Sequence, residues 1–354
     1  MSTAAGLGTS SWPSFNANRY QSDGGFSLGG LIKLTAISCL TGAVVGLLAG
    51  FISQWFFLVL VFPLGMGVLI GAAGAAGVKA VKVRMPLVCG AAGFMGGCVA
   101  VAAMNGWQYY QFERELSIVP PEIRMLARNF DKLQPQLKEL DPPVQEILNN
   151  LADNPEGREA LAVNGILDFI DLQARRGVEL NRAKGGKNGL NLGYIGSYCY
   201  WGFELLLIAG IAFSIMRGAA AEPFCAGCEQ WKTSSVAGSF LGPAKRLRDS
   251  LELGDLAGIS SQVGQGDKLV ATVFHCLQCG PESPIDIRFE KVKIDGKGNV
   301  TRKTFCTATY PGDAIEPVTQ LFAAAQATCT DEPESPTATE SVKPTDTAST
   351  ETPS

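Results

Sequence analysis

Four of the ten cysteines fall into two pairs with metal-ligand spacing, Cys225-Ala-Gly-Cys228 and Cys276-Leu-Gln-Cys279. Thiolate sulfur is a soft donor. Two such pairs can surround a Zn²⁺ ion tetrahedrally, a geometry that zinc accepts without any redox chemistry of its own. Gly280 directly follows the second pair and suits the tight turn of a knuckle. The spacing between the pairs is unusual. There are 47 residues between Cys228 and Cys276, against about 15–20 in the common pattern. A zinc-ribbon-like fold would therefore carry a helical insertion. Two other readings stand beside the zinc site. One pair could do thiol–disulfide chemistry, which needs a lowered thiolate pKa; Glu222 and Pro223 give Cys225 no electropositive setting. The cysteines could also be plain packing residues. His275 is the one histidine and abuts Cys276. Neighbours in a strand point to opposite faces, so it is left out of the ligand set. Cys306 and Cys329 could supply a ligand in some other arrangement.

The second chemical signal is one acid, Glu204, inside the apolar stretch 192–217. A carboxylate at that depth is costly in hydrocarbon and normally faces a bundle interior or a wet cavity. It could relay protons, coordinate a cation or couple transport. It could equally be a structural acid, protonated or hydrogen-bonded to a neighbouring helix.

These residues need elements to position them, and hydropathy defines the first set. Charged residues make up 18% of the chain, below the roughly 25% of soluble domains. None lies between Leu34 and Val78 or between Met85 and Phe112, and Glu204 alone lies between Lys187 and Arg217. A spanning helix needs about 20 apolar residues. The first gap holds two spans and the others one each, so four transmembrane helices are expected, over about 31–51, 55–78, 86–104 and 192–216. Glycines recur every four residues at Gly42, Gly46 and Gly50, then at Gly67 and Gly71, and at Gly93 and Gly97. Small residues on one face let helix backbones approach closely, within a chain or between copies of it.

The remaining segments are polar. Residues 1–30 are rich in Ser, Gly and Asn and read as a disordered arm. After the first three spans, within 31–112, residues 113–191 carry alternating charges, punctuating prolines and helical periodicity. They read as short amphipathic helices outside the bilayer, closed by a Gly-rich linker from Lys184 to Asn191. The fourth span, within 192–217, leads into an α+β unit at 218–329. A helix is expected over 242–253 and a strand over 268–274. A hairpin is expected from 285–294 and 300–309 around Asp295-Gly296-Lys297-Gly298, and a closing helix over 313–327. The Ser, Thr, Pro and Glu of 330–354 read as a disordered tail.

Lys33, Lys79, Lys82, Arg84 and Arg217 fall on one side if the chain threads four times, and aromatics collect at the other ends. Basic short loops face the cytoplasm. Both termini are therefore expected inside a bacterial plasma membrane, although Arg175, Arg176, Arg182, Lys184 and Lys187 crowd the outer approach to the fourth span. The net charge is −4 with no basic face, so nucleic acid is not an expected partner. No phosphate loop is present, and a lone histidine beside a cysteine pair makes a histidine triad a poor expectation. No catalytic residue is assigned, and a non-enzymatic role is favoured.

The layout resembles a group of uncharacterised bacterial four-span membrane proteins with a C-terminal zinc-ribbon-like Cys-x-x-Cys domain. The residues carrying the resemblance are the Pro63–Gly77 glycine-rich span, the Lys79–Arg84 turn and the Trp107–Tyr110 aromatic end. Trp201-x-x-Glu204 and Pro223-Phe224-Cys225-x-x-Cys228 complete it. The resemblance implies topology and a zinc-ribbon-like tail domain, and no reaction. Three functions are expected in order. The first is a membrane-anchored interaction or regulatory platform with structural zinc on a cytoplasmic domain. The second is a small transporter or ion pathway using Glu204. The third is a tethered thiol redox protein.

Overall fold

The computed structural model describes residues 12–22, 24–53, 55, 61–135, 141–180, 190–264, 266–296 and 298–330. The first eleven residues, most of the expected Gly-rich linker, the turn at Gln54 and the tail after Thr330 lie outside them. In chain order the elements are β1 (Asn18–Arg19), α1 (Leu28–Ile52), α2 (Val61–Val81), α3 (Pro86–Leu116), α4 (Pro121–Arg128), α5 (Phe130–Leu133), α6 (Pro142–Asp153), α7 (Pro155–Ala162), α8 (Ile166–Arg176), β2 (Glu179–Leu180), β3 (Leu190–Asn191) and α9 (Gly193–Ala220). There follow β4 (Phe224–Cys225), β5 (Gln230–Trp231), β6 (Thr233–Gly242), α10 (Ala244–Leu253), α11 (Leu256–Gln262), β7 (Asp267–His275), β8 (Ile285–Ile294), β9 (Val300–Tyr310) and α12 (Ile315–Thr330). The chain divides into two units, residues 22–222 and residues 1–21 with 223–354.

In the first unit, α1, α2, α3 and α9 are each long and apolar enough to cross a membrane. α1 packs on α3, α3 on α9, α9 on α2, and α2 returns to α1. Glycines and alanines share the interior with Leu34, Ile70, Ile208 and Met216, while Leu40, Leu69, Ile195 and Leu206 project outward and are exposed. A water-soluble bundle would turn such side chains inward. The glycine faces do the packing. A Cβ on Gly42 would strike the Gly96 carbonyl, one on Gly46 the Ala100 carbonyl, and one on Gly97 the Ala209 backbone. Gly67 and Gly71 likewise leave no room for a Cβ against Ile211 and Ile215 of α9. These faces are filled by helix contacts within one chain.

α3 runs twelve residues past the expected end of its span, to Leu116. Nothing after Met104 breaks a helix until Pro120-Pro121, so it continues into the polar layer. There Phe112 and Tyr109 receive Phe169 of α8, with ring centroids 5.0 and 5.7 Å apart. Glu113 pairs with Arg124 of α4 at 3.1 Å. The short helices α4 to α8 thus close over this end of the bundle with small apolar clusters of their own. At the other end, Lys79 meets Glu222 at 2.9 Å, and the Arg84 N–H donates to the Gly25 carbonyl. The start of α1, the α2–α3 turn and the end of α9 therefore share one end.

The second unit holds a five-stranded antiparallel sheet in the order β1-β9-β8-β7-β6. Its buried face is covered by α10, α11 and α12 around Phe240, Phe289 and Phe322, whose rings lie 5.3–5.7 Å apart. Gly238 lets β6 approach the α12 backbone at Phe322. The expected helix, strand, hairpin and closing helix are present as α10, β7, β8–β9 and α12. One expectation is corrected. Part of the arm expected to be disordered is built into this unit. Asn18 and Arg19 pair with Thr309 and Ala308, and Trp12, Phe15 and Ala17 pack on the core. Their apolar side chains and the open edge of β9 supply what the Ser- and Gly-rich composition lacks.

Candidate metal centre

β4 and β5 form a two-stranded ribbon in which Cys225 opposes Gln230, so Cys228 lies in the turn between them. Lys232 follows, and then β6 begins. Its first residue, Thr233, pairs with His275, the last residue of β7. Cys276 comes next. The register of β6 on β7 therefore carries both knuckles to the same end of the sheet. The 47 intervening residues hold the two paired strands and the excursion through α10 and α11. The long spacing is a hairpin with a helical loop.

The four sulfurs of Cys225, Cys228, Cys276 and Cys279 all lie within 4.8 Å of one another. Contacts run between the knuckles, 3.7 Å for Cys225–Cys279 and 3.1 Å for Cys228–Cys276. Sulfurs about 2.3 Å from a shared tetrahedral centre would be about 3.8 Å apart. The donor set fits a metal ion. The two knuckles also repeat one backbone device. The residue after the second cysteine of each has a left-handed conformation, φ +51° at Glu229 and φ +54° at Gly280. The glycine was legible as a turn residue; the glutamate, which bears the usual strain of a side chain there, was not.

The electrostatics separate the sulfurs. Burial raises Cys225, but the Ser283 hydroxyl 3.3 Å away and the Cys228 backbone N–H outweigh it and bring the thiol down to about 6. Backbone N–H groups of Cys279 and Gln278 likewise lower Cys276. Contact with Cys276 pushes Cys228 up to about 12. At Cys279, the contact with Cys228 lowers, those with Cys225 and Cys276 raise, and the net movement is upward. One sulfur of each pair is stabilised as an anion by the protein. The other two lose their protons readily only to a bound cation, which displaces protons from its ligands.

A network not foreseen from the sequence supports the cluster. The Lys232 backbone N–H donates to the Pro223 carbonyl at 3.1 Å, and its Nζ to the Pro284 carbonyl at 2.8 Å. Nζ also lies 2.6 Å from Asp286, which accepts from the Thr309 hydroxyl. The chain leaving the first knuckle is thereby tied to the chain leaving the second. His275 lies outside the cluster, and its buried Nδ1 has no hydrogen-bond partner among the described residues. Cys306 lies elsewhere, in the sheet core, directed at Glu252. The Cys329 side chain lies outside what is described.

Glu204, the other candidate, is in the membrane unit on α9, 4% exposed. It borders a cavity of about 250 Å³ between α3, α8 and α9. Its Oε1 has no hydrogen-bond partner among the described residues. Set against known proteins, the chain matches no family model, no curated protein and no solved structure. The reading of the two sites rests on their own geometry.

Proposed function

We propose that Cys225, Cys228, Cys276 and Cys279 hold one structural Zn²⁺ and that the protein is a membrane-anchored platform for a protein partner. The observation that carries the reading is the mutual approach of four sulfurs from two knuckles, within 4.8 Å of one another and in contact across the knuckles. A redox pair needs only the two cysteines of a single Cys-x-x-Cys and gives no reason for the second pair to converge on the first. Four thiolates also complete the coordination of zinc and leave no open position for water or substrate, which separates structural from catalytic sites. In this reading the zinc-ribbon-like tip is a fixed surface, and the four helices set where it is displayed. Lys79, Lys82, Arg84 and Arg217 at one end of the bundle support a cytoplasmic location for that end and for both termini, in a bacterial inner membrane.

Metal analysis of the full-length protein, purified in detergent under reducing conditions, tests the reading. One zinc per chain is expected, falling below a tenth of that in Cys225→Ser/Cys276→Ser. Zinc-free protein that takes up none on addition would overturn it. A tag after Ser354 labelled in intact cells would overturn the orientation alone.

A further inference from the structure

The cavity beside Glu204 combines features that the metal centre does not explain. It lies between α3, α8 and α9, at the end of the bundle covered by the amphipathic helices. Glu204 is more than nine-tenths buried, lines the cavity, and has an oxygen with no partner among the described residues. Asn105, Gln108 and Gln173 contribute amides to the wall, and Phe169, Tyr200 and Trp201 contribute aromatic rings. None of the lining residues is basic.

We propose that this cavity is a binding site for a small organic monocation of the alkylammonium class, with Glu204 as its counter-ion. The chemistry excludes other occupants in turn. An anion would meet a carboxylate with no compensating cation. A divalent metal ion takes six or more oxygen ligands and usually more than one carboxylate, and only one carboxylate lines the wall. A bare monovalent ion leaves most of the volume unfilled. At about 30 Å³ per water in the liquid, the space equals roughly eight waters, which is the size of a small molecule of several heavy atoms. Aromatic faces attract a diffuse ammonium charge most strongly when it is desolvated. An ammonium group would supply the charge that Glu204 lacks, and its alkyl groups would meet the rings and the aliphatic wall of Val101, Met104 and Ile170.

The test uses the full chain in nanodiscs with choline as the probe, read by tryptophan emission because Trp201 lines the cavity. Its control is 3,3-dimethylbutanol, the neutral isostere of choline. Choline is expected to shift the emission saturably and the isostere is not. The apparent Kd should rise at least tenfold in Glu204→Gln and less in Glu204→Asp. The comparison of choline with the isostere is made on wild-type protein, so it holds even where a variant does not fold. No saturable response to choline, an equal response to the isostere, or unchanged affinity in a folded Glu204→Gln would each overturn the proposal; the first would leave an ordinary hydrated cavity, the last two a pocket in which Glu204 is no counter-ion.

Discussion

The Nζ of Lys232 lies 2.6 Å from Oδ2 of Asp286, and the two side chains are 4% and 1% exposed. The pair is buried where the exits of both cysteine knuckles meet, and each partner has further hydrogen bonds to the backbone or to Thr309. Removing one member of such a pair strands a buried charge and costs about 3–5 kcal/mol. Lys232→Met and Asp286→Leu should each destabilise the second unit by about that much. The double variant should lose much less than their sum. Pulse proteolysis of the full chain across a urea series measures all three. Additive losses would show that the two charges do not act as a pair.

The docked arm makes a second prediction. Gly254 ends α10 with φ +74°, and its carbonyl accepts from the Phe15 N–H at 3.0 Å. A Cβ there would collide with the Phe15 carbonyl. Gly254→Ala therefore adds left-handed strain of about 1 kcal/mol and displaces the arm. Deletion of residues 12–21 should destabilise the same unit and free the β9 edge for association between molecules. In the deletion background Gly254→Ala should lose the part of its effect that comes from Phe15. Proteolysis midpoints and light scattering report both. Full additivity would mean that the arm contact contributes nothing.

Gly46 of α1 packs directly against the Ala100 carbonyl of α3. Lipid offers no hydrophobic drive to hold helices together, so this contact depends on van der Waals fit. Gly46→Val should separate the helices and lower the thermal midpoint of the detergent-purified protein by several degrees. Gly65→Val, at a position where a Cβ meets nothing within 4 Å, should change it little. Equal behaviour would count against the packing described here.

Cys306 gives a pH-dependent prediction. Burial first and the Glu252 charge second raise its thiol to about 11. The folded state therefore favours the neutral thiol. Its contribution to stability is complete below about pH 9, near the unfolded value, and is lost as the pH rises towards 11. Cys306→Val should flatten part of the alkaline loss of stability between those limits. In the folded wild type Cys306 should resist alkylation at pH 8 and react once the unit is unfolded. Rapid alkylation of the folded protein would contradict its burial.

Much of this layout was legible from residue types. Long uncharged stretches mark the four helices because the bilayer excludes charge, and glycine spacing marks their contacts. The two Cys-x-x-Cys pairs marked the four cysteines that come together as a candidate metal centre. What was not legible depends on distant partners. β6 reads Thr-Ser-Ser-Val-Ala-Gly-Ser-Phe-Leu-Gly, a weak strand pattern that becomes a strand because β7 lies beside it. Trp12 and Phe15 were the only sign that a polar arm had a core to join. Lys232 and Asp286 look like any solvent-facing charges in a β-rich segment, since burial by a neighbouring loop leaves no local trace. Glu204 could be seen as a buried acid, but its cavity needs α8, a separate element earlier in the chain, to close over it.

The central claim is that four sulfurs from two knuckles share one zinc ion. X-ray absorption at the zinc edge of the reduced full-length protein tests it most directly. The account predicts a single zinc environment of four sulfur scatterers at about 2.3 Å, lost together with bound zinc when Cys228 and Cys279 are both replaced by serine. A zinc shell made mainly of nitrogen or oxygen, or one unchanged in that double variant, would contradict it.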